Sequence, residues 1–306
     1  MIGIQAIASH IPESSESNFE VTEKFGLKED FIRNKIGVLR KSRKGMDEDT
    51  SDLCVKSFNA LQQKTEVSVE DIDCLVVCTQ NPDGHGLPHT SAIVHGKLRG
   101  PDSVAAFDIS LGCSGYVYSL AVVTAFMNAH GLKRGLLFTA DPYSKIIDPD
   151  DKSTSLLFGD AATVTLLGKS PKLEIRKTAF GTRGSGAEAL QCKEGYLKMN
   201  GRAVFNFSMT TVPPQIKILI EESGLETDEI DLFILHQGSK YIIDMLTQRL
   251  ELDATKVPTN LSEIGNTVSS SIPLILEHHL DTSEQNILIS GFGVGLSWAS
   301  ALLCRC

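Results

Sequence analysis

The sequence predicts a layered α/β/α/β/α fold built from two duplicated halves, and three observations carry that expectation. Strand-like apolar runs alternate with segments of helical period along the chain, the pattern of sheets covered on their faces by helices. Four stretches of the first half recur in the same order in the second, which marks an internal repeat. Each half also carries one long apolar segment without a clear polar face, which places it between layers.

The repeats define the elements. SVEDIDCLVVCTQ (68–80) and ETDEIDLFILHQ (226–237) share an acidic turn, an Ile-Asp pair and a buried strand, so that Asp73 corresponds to Asp231. DISLGC (108–113) corresponds to LSEIGN (261–266), and RGLLFTAD (134–141) to QNILISGF (285–292). FGDAATVTLLG (158–168) pairs with VGLSWASALLC (294–304), each a glycine turn followed by a strand. The spacing predicts helices over 50–64 and over 211–224 after the prolines at 213 and 214. The apolar 115–131 and 269–280 are the matched central helices. The halves are expected to span 1–170, with a nucleophilic cysteine, and 171–306, with a histidine and an asparagine.

Composition narrows the function. A net charge of −9 argues against general nucleic-acid binding, and no apolar run reaches membrane-spanning length. The first residues lack the basic lead and apolar core of a signal peptide. Seven cysteines without regular spacing do not suggest a disulfide framework, and Cys74 and Cys78 sit in a core-like strand. The chain is therefore expected to be cytoplasmic.

Cys113 stands apart from the other cysteines. It lies in LGCSG, among the smallest residues, where a strand gives way to a helix. A helix N-terminus offers free N–H groups and a positive dipole end, which favour thiolate. The repeat sets His236 at the position of Cys78 and Asn266 at that of Cys113. A two-fold relation between the halves brings such ends to one face, so Cys113, His236 and Asn266 are expected to meet. Together they offer a nucleophile and two neutral groups suited to a thioester oxygen as an enolate forms. The turn Gly293-Val294-Gly295 adds backbone N–H groups for a second oxyanion hole.

Rival readings are weaker. The glycines of SGFGVGLSW are not spaced G-x-G-x-x-G and precede a strand, not a helix, which argues against a dinucleotide site. His85, His89 and His95 fit no usual zinc spacing, so no metal is expected.

FDISLGCSGYVYSL, LLFGDAATVTLL, ILHQGSKYIID, LSEIGNTVSSSIPLIL and ISGFGVGLSWASALL resemble the type III β-ketoacyl-acyl-carrier-protein synthases, in that family's order, over essentially the whole chain. The resemblance implies a thiolase-like five-layer αβαβα fold and a decarboxylative condensation. Cys113 takes an acyl group from a thioester, and the N–H groups of Cys113 and Val294 hold the carbonyl oxygen. His236 and Asn266 then stabilise the enolate of a malonyl-thioester, and the product is a β-ketoacyl thioester. No permanent cofactor is implied; acyl-CoA or acyl-carrier protein and malonyl-carrier protein are the substrates. The implied assembly is a homodimer in which Leu87 reaches the partner's acyl pocket.

Departures accompany the match. Where housekeeping members sandwich the adenine of coenzyme A between tryptophan and arginine, this chain has Phe31 and Lys152. Lys35 replaces a second arginine, and Ser239 an asparagine that binds pantetheine. Lysine cannot stack as guanidinium does, which points to a specialised relative primed from carrier protein, or one serving a secondary-metabolite or glycan pathway. Arg202, Lys240 and Arg249 are the expected docking cations for an acidic carrier protein. Val94, Tyr116, Phe205 and Met209, beside the motifs, are expected to line the acyl pocket. Two alternatives stay open: an acyltransferase that passes the group from Cys113 to an alcohol or amine, and a non-catalytic partner subunit.

Overall fold

The computed structural model describes residues 1–306. The first part of the chain forms β1 (Gly3–His10), β2 (Ser15–Ser17), α1 (Glu29–Phe31), β3 (Arg40–Ser42), α2 (Thr50–Lys64), β4 (Cys74–Cys78), α3 (Thr90–Leu98) and β5 (Ala105–Ile109). It continues through α4 (Gly115–His130), β6 (Arg134–Ala140), α5 (Lys152–Ser155) and β7 (Ala162–Gly168). Next come β8 (Leu173–Thr182), the hairpin β9 (Leu190–Lys193) and β10 (Tyr196–Met199), and α6 (Gly201–Glu222). The last elements are β11 (Leu232–Leu235), α7 (Lys240–Arg249), α8 (Leu261–Ile264), α9 (Ser271–Leu276), β12 (Asn286–Gly293) and β13 (Ser297–Arg305).

Nine strands run in the order β11-β12-β13-β8-β1-β7-β6-β4-β5. β1 and β8 meet at one register pair, Ile4 with Leu173, so two sheets are hinged there. In one, β4 is parallel to β5 and β6, and β7 is antiparallel to β6. In the other, β11 is parallel to β12, and β13 is antiparallel to it.

Strand alternation sorts the core into layers. Leu75 and Val77 of β4 join a cluster with Leu53, Phe58 and Leu61 of α2. Cys74, Val76 and Cys78, on the opposite face, join Tyr116, Leu120 and Val123 of α4. That central cluster also holds Leu232 and Ile234 of β11 and Ile272 and Ile275 of α9. Phe233 and Leu235, turned the other way, pack with Ile216 and Leu219 of α6 and Leu246 of α7. Three clusters between helices and sheets make five layers.

The duplication reaches individual hydrogen bonds. One oxygen of Asp73 accepts from the N–H groups of Lys133 (2.7 Å) and Arg134 (3.0 Å). One oxygen of Asp231 accepts from Gln285 (2.7 Å) and Asn286 (3.0 Å) in the same way. The match fails at one place. LSEIG forms α8, whereas DI of DISLG ends β5. The α8 segment is tied to the β3 region instead of a sheet edge, through Leu39 N–H to Ser262 O (2.7 Å) and Ser42 Oγ to Ile264 O (3.1 Å).

Two helices depart from expectation. α6 begins ten residues before the expected 211, capped by Asn200, whose side chain accepts from Ala203 N–H (3.0 Å). It runs through Pro213 and Pro214, because Val204, Phe207, Ser208 and Val212 already give it a buried stripe. α4 has its expected span, but Val122 is exposed and Tyr118 and Phe126 are half-buried. No helix is long and apolar enough to cross a membrane.

Candidate active site

Cys113, His236 and Asn266 line one cavity of about 550 Å3 and are 4%, 3% and 4% exposed. Cys113 stands in the loop between β5 and α4, just before the N-cap Ser114. His236 follows β11, and Asn266 follows α8. Backbone bonds fix Asn266: its N–H donates to Leu157 O (2.8 Å) and its C=O accepts from Gly159 N–H (3.0 Å). Its Oδ1 accepts from Val268 N–H (2.9 Å), which leaves the amide NH2 for the cavity.

Nδ1 of His236 lies 2.8 Å from Ser271 Oγ, and its ring meets Phe292 edge-on. Ser271 Oγ donates to Val268 O (3.0 Å). In that arrangement Nδ1 carries the hydrogen and Nε2 is a free acceptor; rotation of the hydroxyl permits the other tautomer. Burial pulls the His236 pKa down to about 3, against a raising bond to the Val268 backbone. The imidazole is therefore neutral.

Burial also pushes the Cys113 thiol up to about 12, outweighing the N–H groups of Val294 and Cys113. The N–H groups act in the direction the helix end predicts, and burial outweighs them. Sulfur this far from solvent keeps its proton. Gly293 makes the nucleophile reachable: a Cβ there would lie 2.7 Å from Cys113 Sγ. Gly293 lines the cavity, and Val294 packs against the Cys113 cluster.

The mouth carries Phe31, Lys35, Ser239 and Tyr241. Tyr241 stacks on Phe205 with centroids 5.3 Å apart, and Lys35 Nζ sits 4.2 Å over the Tyr241 ring. Lys152 does not line the cavity, but its Nζ lies 5.9 Å over the half-exposed Phe31 ring. Leu87 is 93% exposed and outside this chain's own cavity.

Arg202 is exposed on the first turn of α6, beside the cavity residue Gly201, and Arg249 is exposed at the end of α7. Lys240 pairs with Asp244, one turn along α7, at 2.7 Å and 3.0 Å, and both side chains stay about half exposed. Of the four expected acyl-pocket residues, only Phe205 lines the cavity. Val94 and Met209 are packed into outer clusters, and Tyr116 lies in the central one, with its hydroxyl 3.2 Å from Thr165.

Sequence reasoning missed Leu190 and Met199, which the β9–β10 hairpin brings to the cavity, and Val204, Ser208 and Ile242. Gly195 is the one sign of that hairpin turn in the sequence. Glu194 and Gly195 both have positive φ, 56° and 83°, as a two-residue hairpin turn requires.

The chain matches the model for 3-oxoacyl-[acyl-carrier-protein] synthase III over residues 107–184 and the model for its C-terminal part over residues 220–304. It is 32% identical over 320 residues to a β-ketoacyl-[acyl-carrier-protein] synthase III of Streptococcus gordonii, covering 98% of each chain. A Streptococcus pneumoniae protein of the same name is 30% identical at the same coverage. The crystal structure of the Thermus thermophilus synthase III superposes with a TM-score of 0.92 at 31% identity, covering 99% of both chains. The priming β-ketosynthase of the R1128 polyketide biosynthetic pathway superposes at 0.89 and 26% identity, covering 100% of this chain and 96% of that one.

Proposed function

The chain belongs to the 3-oxoacyl-[acyl-carrier-protein] synthase III family and is a condensing acyltransferase; from that premise we propose that Cys113, His236 and Asn266 carry the reaction. The observation that carries the assignment is their convergence on one cavity, with Gly293 leaving Sγ open.

Acylation begins with sulfur attacking the thioester carbonyl. The Cys113 proton passes to the free Nε2 of His236 and on to the departing thiol. The N–H groups of Cys113 and Val294, which the resting sulfur engages, take the carbonyl oxygen. A malonyl-thioester then loses CO2 as the bond to its carboxylate breaks. The electron pair becomes an enolate, whose oxygen accepts from the Asn266 amide and from Nε2–H of His236, in the tautomer reached when the Ser271 hydroxyl turns to donate to Nδ1. The enolate carbon attacks the acyl-cysteine, a C–C bond forms, and the cysteine sulfur leaves as thiolate, which takes a proton from solvent as the product departs. A neutral imidazole suits this step, since no proton is spent on the enolate. The full-length synthase relatives do not favour the alcohol or amine acyltransferase, or the non-catalytic subunit.

Several finer readings belong to the same proposal. The halves divide at 170/171, in the turn between β7 and β8. The assembly is a homodimer. β5 is an edge strand, and it lies beside an α4 face with half-buried Tyr118 and Phe126 and exposed Val122. Phe180, 47% exposed, packs against Tyr118 with centroids 4.7 Å apart and the rings tilted by 36°. Such a patch marks an interface, and Leu87 projects from the same half. The location is cytoplasmic, in keeping with seven unpaired cysteines. Acyl-carrier protein is the partner, docking on Arg202, Lys240 and Arg249, and the mouth with Phe31, Lys35 and Ser239, with Lys152 beside Phe31, favours a carrier-bound primer.

Intact-protein mass spectrometry with acyl-CoA and acyl-carrier-protein panels tests the proposal. An acyl adduct that disappears in Cys113→Ala, with CO2 released from malonyl-carrier protein, is expected. An adduct that persists in Cys113→Ala refutes it.

A further inference from the structure

A second cavity, of about 450 Å3, is lined by Glu16, Lys24, Lys41, Arg43 and Ser155 among others. It shares no residue with the catalytic cavity. One stretch of chain separates the two: Ser155 faces the second cavity, and Leu157 and Phe158 line the first.

Two buried cations line the cavity, while the nearest buried carboxylate, Asp160, is turned to Ser144 and the Lys44 N–H behind the wall. Lys41 is 4% exposed, and its Nζ donates to Ser155 O (2.6 Å) with Glu16 at 3.5 Å. Arg43 is also largely buried: its Nε lies 2.9 Å from the same Glu16 oxygen, and Nη1 donates to Phe158 O (2.8 Å). Two desolvated cations thus share one carboxylate, which is itself mostly in solvent. Lys24 is balanced separately by Asp150 at 2.6 Å. Burial, then the neighbouring Arg43, pull the Lys41 pKa down to about 8, so Glu16 does not fully compensate the pair. An independent observation points to a ligand. Ser155 lines this cavity, and its Oγ, buried just behind the wall, has no hydrogen-bond partner, although buried hydroxyls are normally paired.

We propose that this cavity binds a small oxyanion of the phosphate class through Lys41 Nζ, the Arg43 guanidinium and Ser155 Oγ, with Glu16 turning out to solvent. A tetrahedral oxyanion offers acceptors in several directions, which suits three donors from separate segments. The ligand braces residues 155–159, whose backbone flanks Asn266 on both sides, so the site supports the enolate-binding platform from behind.

The test is phosphate titration at constant ionic strength, balanced with chloride, followed by thermal unfolding and by hydrogen exchange. In the wild type, phosphate is expected to raise Tm beyond chloride and to slow exchange in peptides covering 155–160 and 264–268. Ser155→Ala is expected to weaken the apparent affinity about tenfold, as loss of one charge-assisted bond does, and Lys41→Met to weaken it further. Should Lys41→Met fail to fold, Ser155→Ala carries the test alone. A parallel arm with adenosine 3′,5′-bisphosphate separates the sources. A response to phosphate assigns a free-ion site; a response to the nucleotide alone assigns a phosphoryl group on a nucleotide only if Ser155→Ala weakens it, and one that Ser155→Ala leaves unchanged belongs to the catalytic mouth and counts against the proposal. No specific response to either in the wild type, or an equal response in Ser155→Ala, overturns the proposal.

Discussion

Gly293→Ala adds one methyl group at the point where the structure has least room. Its Cβ would stand 2.7 Å from Cys113 Sγ and 2.8 Å from Cys113 Cβ, whereas carbon contacts settle near 3.5–4.0 Å. Roughly 1 Å must be relieved by moving either the nucleophile or the turn that presents Val294 N–H. A misplacement of about 1 Å can cost about 100-fold in rate, and loss of one oxyanion donor costs about 100- to 1,000-fold. Overpacking of this size removes only about 1–3 kcal/mol of stability. The expectation is a folded protein whose acylation is slowed at least about 100-fold. The assay follows the mass of acyl-Cys113 in rapidly quenched single turnovers, with thermal unfolding beside it. A folded variant that acylates within a few-fold of wild type would refute the claim that Gly293 clears the sulfur and sets its oxyanion donor.

Other outcomes follow from the same geometry. Ser271→Ala removes the Nδ1 partner of His236 and is expected to slow malonyl decarboxylation about tenfold, the value of one hydrogen bond; the histidine chemical shifts should also change, and an unchanged tautomer population would count against the positioning role. His236 has a folded pKa near 3 against an ordinary 6.5, so below pH 6.5 the unfolded chain binds a proton that the folded one refuses. Stability from this group is therefore lost as pH falls, by about 2 kcal/mol between pH 7 and 5. His236→Gln should remove that part of the slope in urea unfolding, and parallel curves would sink the assignment. Arg249→Glu is expected to reduce turnover with carrier protein while sparing a small acyl thioester; equal losses with both would argue against docking there.

Much of the site was legible because the repeat supplied what isolated motifs lack. His236 alone reads as a strand-end histidine, but its alignment with Cys78 and that of Asn266 with Cys113 point to one face. Burial was harder to read. The segment LGCSG shows a helix end beside sulfur, while the pKa of Cys113 is decided by residues remote in sequence, among them Phe158, Leu190 and Val268. Apolar residues beside motifs carry no sign of which side of the wall they occupy, so Tyr116 and Met209 went to the core and Leu190 and Met199 to the cavity. The start of α6 was hidden by Pro213 and Pro214, which ordinarily mark a helix beginning. The engagement of Lys240 was readable, since Asp244 stands four residues on.

A duplicated fold becomes an asymmetric catalyst where the two copies stop matching. Asp73 and Asp231 keep the same pair of bonds, so the bases of β4 and β11 are still equivalent. The far ends of these strands are not. At the end of β4, Cys78 lies under α4, and a Cβ on Gly115 would come within 2.4 Å of its sulfur. Its own Sγ is bound to Leu111 O (3.3 Å), which fixes the loop leading to Cys113. Just past the end of β11, His236 faces the catalytic cavity with Ser271 of α9 behind it. One copy thus spends its strand end on holding a nucleophile, and the other leaves its strand end free to act on the substrate. A condensation needs both kinds of group on the same thioester, and neither half supplies both. The sequence difference between Cys78 and His236 is where that division of labour is written.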